Sequence, residues 1–232
     1  LTRLDRQLTK PDRAELDELA GDTPFGVIAH DLVTAIDVDA AYTAATKAFA
    51  TWGRLPGRER AKYIYRLARL LQDRAREFAV AETLNGGKPI KESRDFDVPM
   101  AAAHFFYHAG WADKLDYVAP GRKVAPLGVV GQVIPWNFPL LMLAWKLAPA
   151  LAMGNTVVIK PAETTSITAL KFAEIIADAG FPAGVVNIVT GFGDTGAAIM
   201  NHPAAVKVAF TGSTEVGKIS MRTLAGTDKN IN

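Results

Sequence analysis

The chain has 232 residues, 49% of them hydrophobic and 22% charged, with a formal net charge of +2. That length and apolar content describe a globular protein with a sizeable core, in one domain or one and a half. The 26 basic residues are balanced by 24 acidic ones, so neither nucleic acid nor a membrane is an expected partner. The absence of Cys excludes disulfides, thiolate metal sites and a cysteine nucleophile within these residues.

Residues 1–35 show weak periodicity and several turn signals, and read as an arm or linker. The opening LTRLDRQLTKPDRAELDELA has no apolar h-region, so no secretory signal is visible and a cytoplasmic location is expected. Asp37 then caps a helical run, DVDAAYTAATKAFATW. A second helix starts near Gly57, with Ile64, Leu67, Leu70 and Leu71 on one face. Asn85-Gly86-Gly87 ends it with residues that accept left-handed backbone angles. A third helix covers about Val98 to Leu115. Within it His104 and His108 stand at i and i+4, a spacing that can hold a metal. Their neighbours Phe105, Phe106 and Tyr107 make half-buried packing the preferred reading, and no metal site is expected.

After Pro120 the pattern changes. VVGQVI is a buried strand stopped by Pro135, and the apolar stretch Pro139–Gly154 is a buried helix, too short to span a bilayer. TVVIK is a β-branched strand ended by Pro161, and a helix follows from Thr165 to Gly180. GVVNIVTG is a further strand, a short helix runs from about Asp194 to Met200, VKVAFTG is the last strand, and STEVGKISMRTLA is a helix. The alternation predicts an α/β fold: a Rossmann-like parallel sheet with helices on both faces, preceded by a helical N-terminal segment. The expected division is an arm at 1–35, a helical part at 36–119 and a nucleotide-binding core at 120–232.

Ligands of such sheets bind beyond the carboxyl ends of the strands. The strand–Gly–helix junction VAFTGSTEVGKIS, Val208 to Ser220, is one such end. Gly212, Gly217 and Lys218 nearly spell a triphosphate loop, but Ile219 stands where a Mg²⁺-binding Ser or Thr is needed. The missing ligand disfavours a triphosphate; the alternatives to it are the pyrophosphate of a dinucleotide and a capped helix without ligand, and Mg²⁺-dependent ATP hydrolysis would revive it. After TVVIK, Glu163 is placed to accept from ribose hydroxyls and Lys160 to donate to them, although an exposed charged pair is the simpler reading of that doublet alone. In IPWNFP, two prolines frame Asn137, whose amide is suited to stabilise an oxyanion or, more plainly, to satisfy its own turn.

The stretches VVGQVIPWNFPLLM, GNTVVIKPAETT, FPAGVVNIVTG and KVAFTGSTEVGK, in this order and spacing, closely resemble the NAD(P)-dependent aldehyde dehydrogenase superfamily. The resemblance covers about Asp37 to the end of the chain and is strongest from Pro126 to Lys218. It implies that Asn137 is the oxyanion-hole amide, that Ile134, Pro135 and Trp136 line the cofactor cleft, and that Lys160 and Glu163 hold the adenosine ribose. It implies further that Gly193 and Val216 flank the adenine and that Gly212 and Ser213 bind the pyrophosphate. Ala162 and Phe210 complete the implied cofactor contacts. The implied cofactor is NAD, with NADP possible; Glu163 fits NAD at least as well as NADP because a carboxylate repels a 2′-phosphate, and the choice between the two stays open.

The family's chemistry also needs a Cys nucleophile and a Glu general base, both downstream of the GSTEVG motif. Neither is in this chain, which is therefore expected to be the front part of an enzyme that oxidises aldehydes to acids, inactive alone. The alternative is a non-catalytic module that keeps the fold for cofactor binding or assembly. The segment WADKLDYVAPGRKVAPLGVV is shorter than the family's usual subunit-joining arm, so a homo-oligomeric parent is an open expectation.

Overall fold

The computed structural model describes residues 35–122 and 124–232, so most of the expected arm lies outside the described residues. Helix α1 spans Ala35–Trp52, α2 Gly57–Asp73, α3 Ala75–Gly86 and α4 Val98–Trp111. The core continues as β1 Val129–Val133, α5 Pro139–Ala152, β2 Thr156–Lys160, α6 Ile167–Asp178 and β3 Val186–Ile188. It closes with α7 Gly193–Asn201, β4 Ala205–Phe210, α8 Thr214–Leu224 and β5 Asn230–Ile231.

The five strands form one parallel sheet in the order β3-β2-β1-β4-β5. Alternation within β2 shows why helices cover both faces. Val157 and Ile159 pack into the larger core with α2–α6, while Val158 packs into a smaller one with Val38, Tyr42 and Ile199. Every residue of β2 is buried, as a central parallel strand requires. The chain steps outward from β1 to β2 to β3 through α5 and α6, then returns through α7 to the other side of β1. The winding direction therefore reverses between β1 and β4, where open α/β sheets form their binding crevice.

Several elements differ from the sequence expectation. The long second helix is broken at Arg74, which leaves helical geometry at φ −101° and ψ 16°. Its guanidinium donates to Glu77 on α3 and to Glu174 on α6, so the break is set by tertiary ion pairs rather than by a Gly or Pro. Gly87 ends α3 in the left-handed region at φ 72°, its N–H donating to the Thr83 carbonyl, within the expected stop signal. A wide π-type turn, Ser93–Asp97, precedes α4, and α4 ends at Trp111 rather than near Leu115. The third strand is three residues long, and β5 is an addition that the sequence pattern does not announce. His104 stacks edge-on against Trp145, and His108 Nδ1 is 2.8 Å from the His104 carbonyl.

Candidate active-site cleft at the strand ends

The strand register brings three loops to one edge. Val133 pairs with Lys160 on one side and with Phe210 on the other, so β1, β2 and β4 end level. The ladder extends one residue further on each side: Ile134 N–H donates to the Lys160 carbonyl, and Thr211 N–H to that of Val133. Beyond this line the loops diverge around a cleft of about 600 Å³. The β1 loop contributes Ile134, Pro135, Trp136 and Asn137. The β2 end contributes Lys160, Ala162 and Glu163, and α7 begins at the rim with Gly193. Phe210, Gly212, Ser213 and Val216 close the β4 side. All twelve residues singled out from the sequence thus line one cavity, together with Val133, Gly196, Met200 and Thr211, which were not singled out as ligand contacts.

The β4 side is a helix N-terminus. Ser213 sits in extended geometry at φ −68° and ψ 153°, and its hydroxyl accepts from Val216 N–H at 3.2 Å. The hydroxyl thereby caps α8, an eleven-residue helix whose N-terminal end, at Ser213 and Val216, lines the cleft. Gly212 precedes it in close quarters: a Cβ there would come 2.5 Å from the Phe210 ring. At Gly193 a Cβ would meet nothing within 4 Å, so that rim faces open cleft. An anion spanning the two rims meets backbone donors on one side and unobstructed space on the other.

Lys160 behaves differently from a free surface cation. It is 3% exposed, and its ammonium donates to the carbonyls of Pro161 at 2.9 Å and Gly191 at 2.6 Å. Glu163, half exposed, lies 3.5 Å away. Burial lowers the Lys160 pKa, opposed by the charge of Glu163. The side chain thus ties the end of β2 to the β3–α7 loop beneath the cavity floor. Gly191 makes that loop tight: at φ 135° and with Thr195 Oγ1 2.2 Å from where its Cβ would be, no other residue fits.

Lys146, on α5, is a neighbour of the cleft that was not singled out from the sequence. Its Nζ donates to Thr211 Oγ1 at 2.5 Å, joining α5 to the β4 loop, and burial lowers its pKa. A lysine on an otherwise apolar helix was the available signal. A larger open groove, about 980 Å³, runs between α3 and α6 past Val80, Leu84 and Ile167. Arg74 and Lys171 in it both pair with Glu77, and no strand residue lines it. The strand-end cleft is therefore the candidate site.

No helix among the described residues is long and apolar enough to cross a membrane, and no cluster of three or more His, Asp or Glu in them is arranged to hold a metal.

Comparison with known proteins agrees with this geometry. The model of the aldehyde dehydrogenase family matches residues 23–232. Retinaldehyde dehydrogenase 3 of Rattus norvegicus is 50% identical over 195 residues, covering 79% of this chain and 38% of that protein. Phenylacetaldehyde dehydrogenase of Pseudomonas fluorescens is 49% identical over 200 residues, covering 79% of this chain and 40% of that protein. The structure of a Bacillus cereus aldehyde dehydrogenase in complex with NAD⁺ superposes with a TM-score of 0.80 at 42% identity, over 86% of this chain and 43% of that one. The chain spans less than half the length of each of these relatives. With the family model matched from residue 23 to residue 232 and the strand-end cleft assembled from the same motifs, the chain belongs to the aldehyde dehydrogenase family.

Proposed function

We propose that this chain is the cofactor-binding part of an NAD(P)-dependent aldehyde dehydrogenase that oxidises aldehydes to carboxylic acids. The observation that carries the reading is the convergence of Asn137, Glu163 and the Ser213-capped helix on one cleft at the β1/β4 reversal. The residues present fit a dinucleotide. The N-terminus of α8 and Gly212 would hold the pyrophosphate, Glu163 with Lys160 the adenosine ribose, and Gly193 and Val216 the adenine. Ile134, Pro135 and Trp136 would form the wall along the cofactor, with Ala162 and Phe210 in contact at its edge. NAD, when bound, supplies the acceptor for the substrate's hydride.

Asn137 supports the chemistry directly. Its side chain stands in the exposed turn between two prolines, and its NH₂ donates to the oxygen of the aldehyde as negative charge develops there. The nucleophile and general base are not among these 232 residues, which contain no Cys, so the chain alone does not turn over. The same lack of Cys is what favours the second reading, a non-catalytic module of the same fold; the mass and sequence of the complete polypeptide separate the two.

Half-exposed Glu163, beside the ribose, would repel a 2′-phosphate, so the reading takes NAD as the preferred cofactor. The test is an aldehyde panel assayed with NAD⁺ and NADP⁺ on the complete polypeptide. The reading expects dinucleotide reduction with NAD⁺ ahead of NADP⁺; magnesium-dependent ATP hydrolysis without dinucleotide reduction would overturn it.

A further inference from the structure

Behind the Asn137 turn lies a set of buried charges that the cofactor and oxyanion roles do not use. Glu82, on α3, is 1% exposed, and its Oε1 accepts from Leu140 N–H at 3.2 Å. Leu140 is in the first turn of α5, three residues after Asn137. Lys88 places its ammonium 3.6 Å from the centre of the Phe138 ring, and Asp97 holds that ammonium at 2.5 Å. Asp97 is fully buried and closes the π-type turn Ser93–Asp97, which Ser93 ties back to Thr83 on α3 at 3.0 Å. A cavity of about 150 Å³, walled by Glu82, Lys88, Trp136 and Asn137, separates this set from the turn itself.

A carboxylate in this place is expensive: burial raises the Glu82 pKa, opposed by hydrogen bonding from Thr168 and from Leu140 N–H. An apolar side chain of similar size would pack into the same core at lower cost. The compensating contribution is geometric. Pro139 provides no N–H, so Leu140 offers the first main-chain donor of α5, and only a long acceptor arriving from α3 reaches it. With Lys88 on the Phe138 ring, the turn is held on both sides of Asn137.

We propose that Glu82 is a positioning residue: by accepting from Leu140 N–H, with Lys88 and Asp97 fixing Phe138, it holds the Asn137 amide in the orientation that oxyanion stabilisation needs. The proposal rests on the role given to Asn137 above. It predicts that reach matters more than charge. Glu82→Asp keeps the charge and withdraws the oxygen from Leu140 N–H. Glu82→Gln loses the charge and keeps an acceptor of the same length.

Two experiments test it. In the complete polypeptide, amide hydrogen exchange at Leu140 should accelerate at least about ten-fold in Glu82→Asp and stay near the parent rate in Glu82→Gln, with Leu147 unchanged in both. In the complete polypeptide, kcat should fall about ten- to hundred-fold in Glu82→Asp, with NAD⁺ affinity kept and most of the rate restored in Glu82→Gln. In an Asn137→Ala background, Glu82→Asp should cost little more, because the group it positions is gone. If Glu82→Asp does not fold, Glu82→Met, which has the length without the acceptor, takes its place. Unaltered Leu140 exchange, or an equal loss of kcat with and without Asn137, would overturn the proposal. A normal kcat in Asn137→Ala alone would instead overturn the role of Asn137, and the exchange result would still decide whether Glu82 holds the turn.

Discussion

At the β1 end of the cleft, the Asn137 turn stands on α5, whose Leu140, Leu143, Leu147 and Leu151 are all fully buried in the larger core. At the β4 end, α8 buries only Ser220 and Leu224, and Leu224 packs in a cluster with Met200 and Val208 alone. Val216, Ile219 and Met221 on that helix are exposed. One wall of the site is set by dense packing and buried charge, the other by a single cap and a shallow apolar contact. The difference follows the proposed chemistry. An oxyanion donor must be fixed to a fraction of an ångström, whereas a pyrophosphate held by several N–H groups tolerates adjustment.

The sharpest way to break this contrast is to truncate each wall's apolar anchor. Leu143→Ala should lower stability by roughly 2–5 kcal/mol, because the surrounding core collapses only in part. Leu224→Ala should fall at or below the lower end of that range. Urea unfolding of both variants decides, and equal losses would erase the distinction. Next in size is Asn137→Ala, expected to reduce kcat about 10²- to 10³-fold in the complete polypeptide with little change in Tm, since the side chain is exposed. Ser213→Ala removes the cap of α8 and should destabilise it by about 1 kcal/mol, seen as faster amide exchange in the first turn of that helix and weaker dinucleotide binding.

The smallest effect concerns pH. Burial raises the Glu82 pKa in the folded state. The folded protein then retains this proton where the unfolded chain has lost it, so stability from this group is full below the unfolded carboxylate pKa and declines as pH rises through the folded one. Glu82→Gln cannot ionise, so its stability relative to the parent should grow from mildly acidic to neutral pH. Chemical unfolding of both proteins across that range is the check, and a parallel pH dependence would contradict it.

Much of the cleft was legible because its parts are local. Pro135, Pro161 and Gly212 each stop an apolar run, and cleft-lining residues follow at once, so strand ends could be found without knowing the strand order. What was not legible is tertiary. The break at Arg74 depends on Glu174, a hundred residues away, and β5 is two residues paired with β4. Glu82 lies on the buried stripe of α3 with Phe78 and Ala79, at i+4 and i+3. That charge on an apolar stripe was visible, but its acceptor role needed the position of Leu140. Lys160 lines the cleft, while its bond to Gly191 depends on the β3–α7 loop arriving beside it.

If the reversal between β1 and β4 holds a dinucleotide, isothermal titration of NAD⁺, NADP⁺ and Mg-ATP into the complete folded polypeptide will show it. Saturable one-to-one binding of NAD⁺, tighter than NADP⁺ and weakened by Ser213→Ala, is the predicted result. Binding of Mg-ATP with no saturable uptake of either dinucleotide would contradict it.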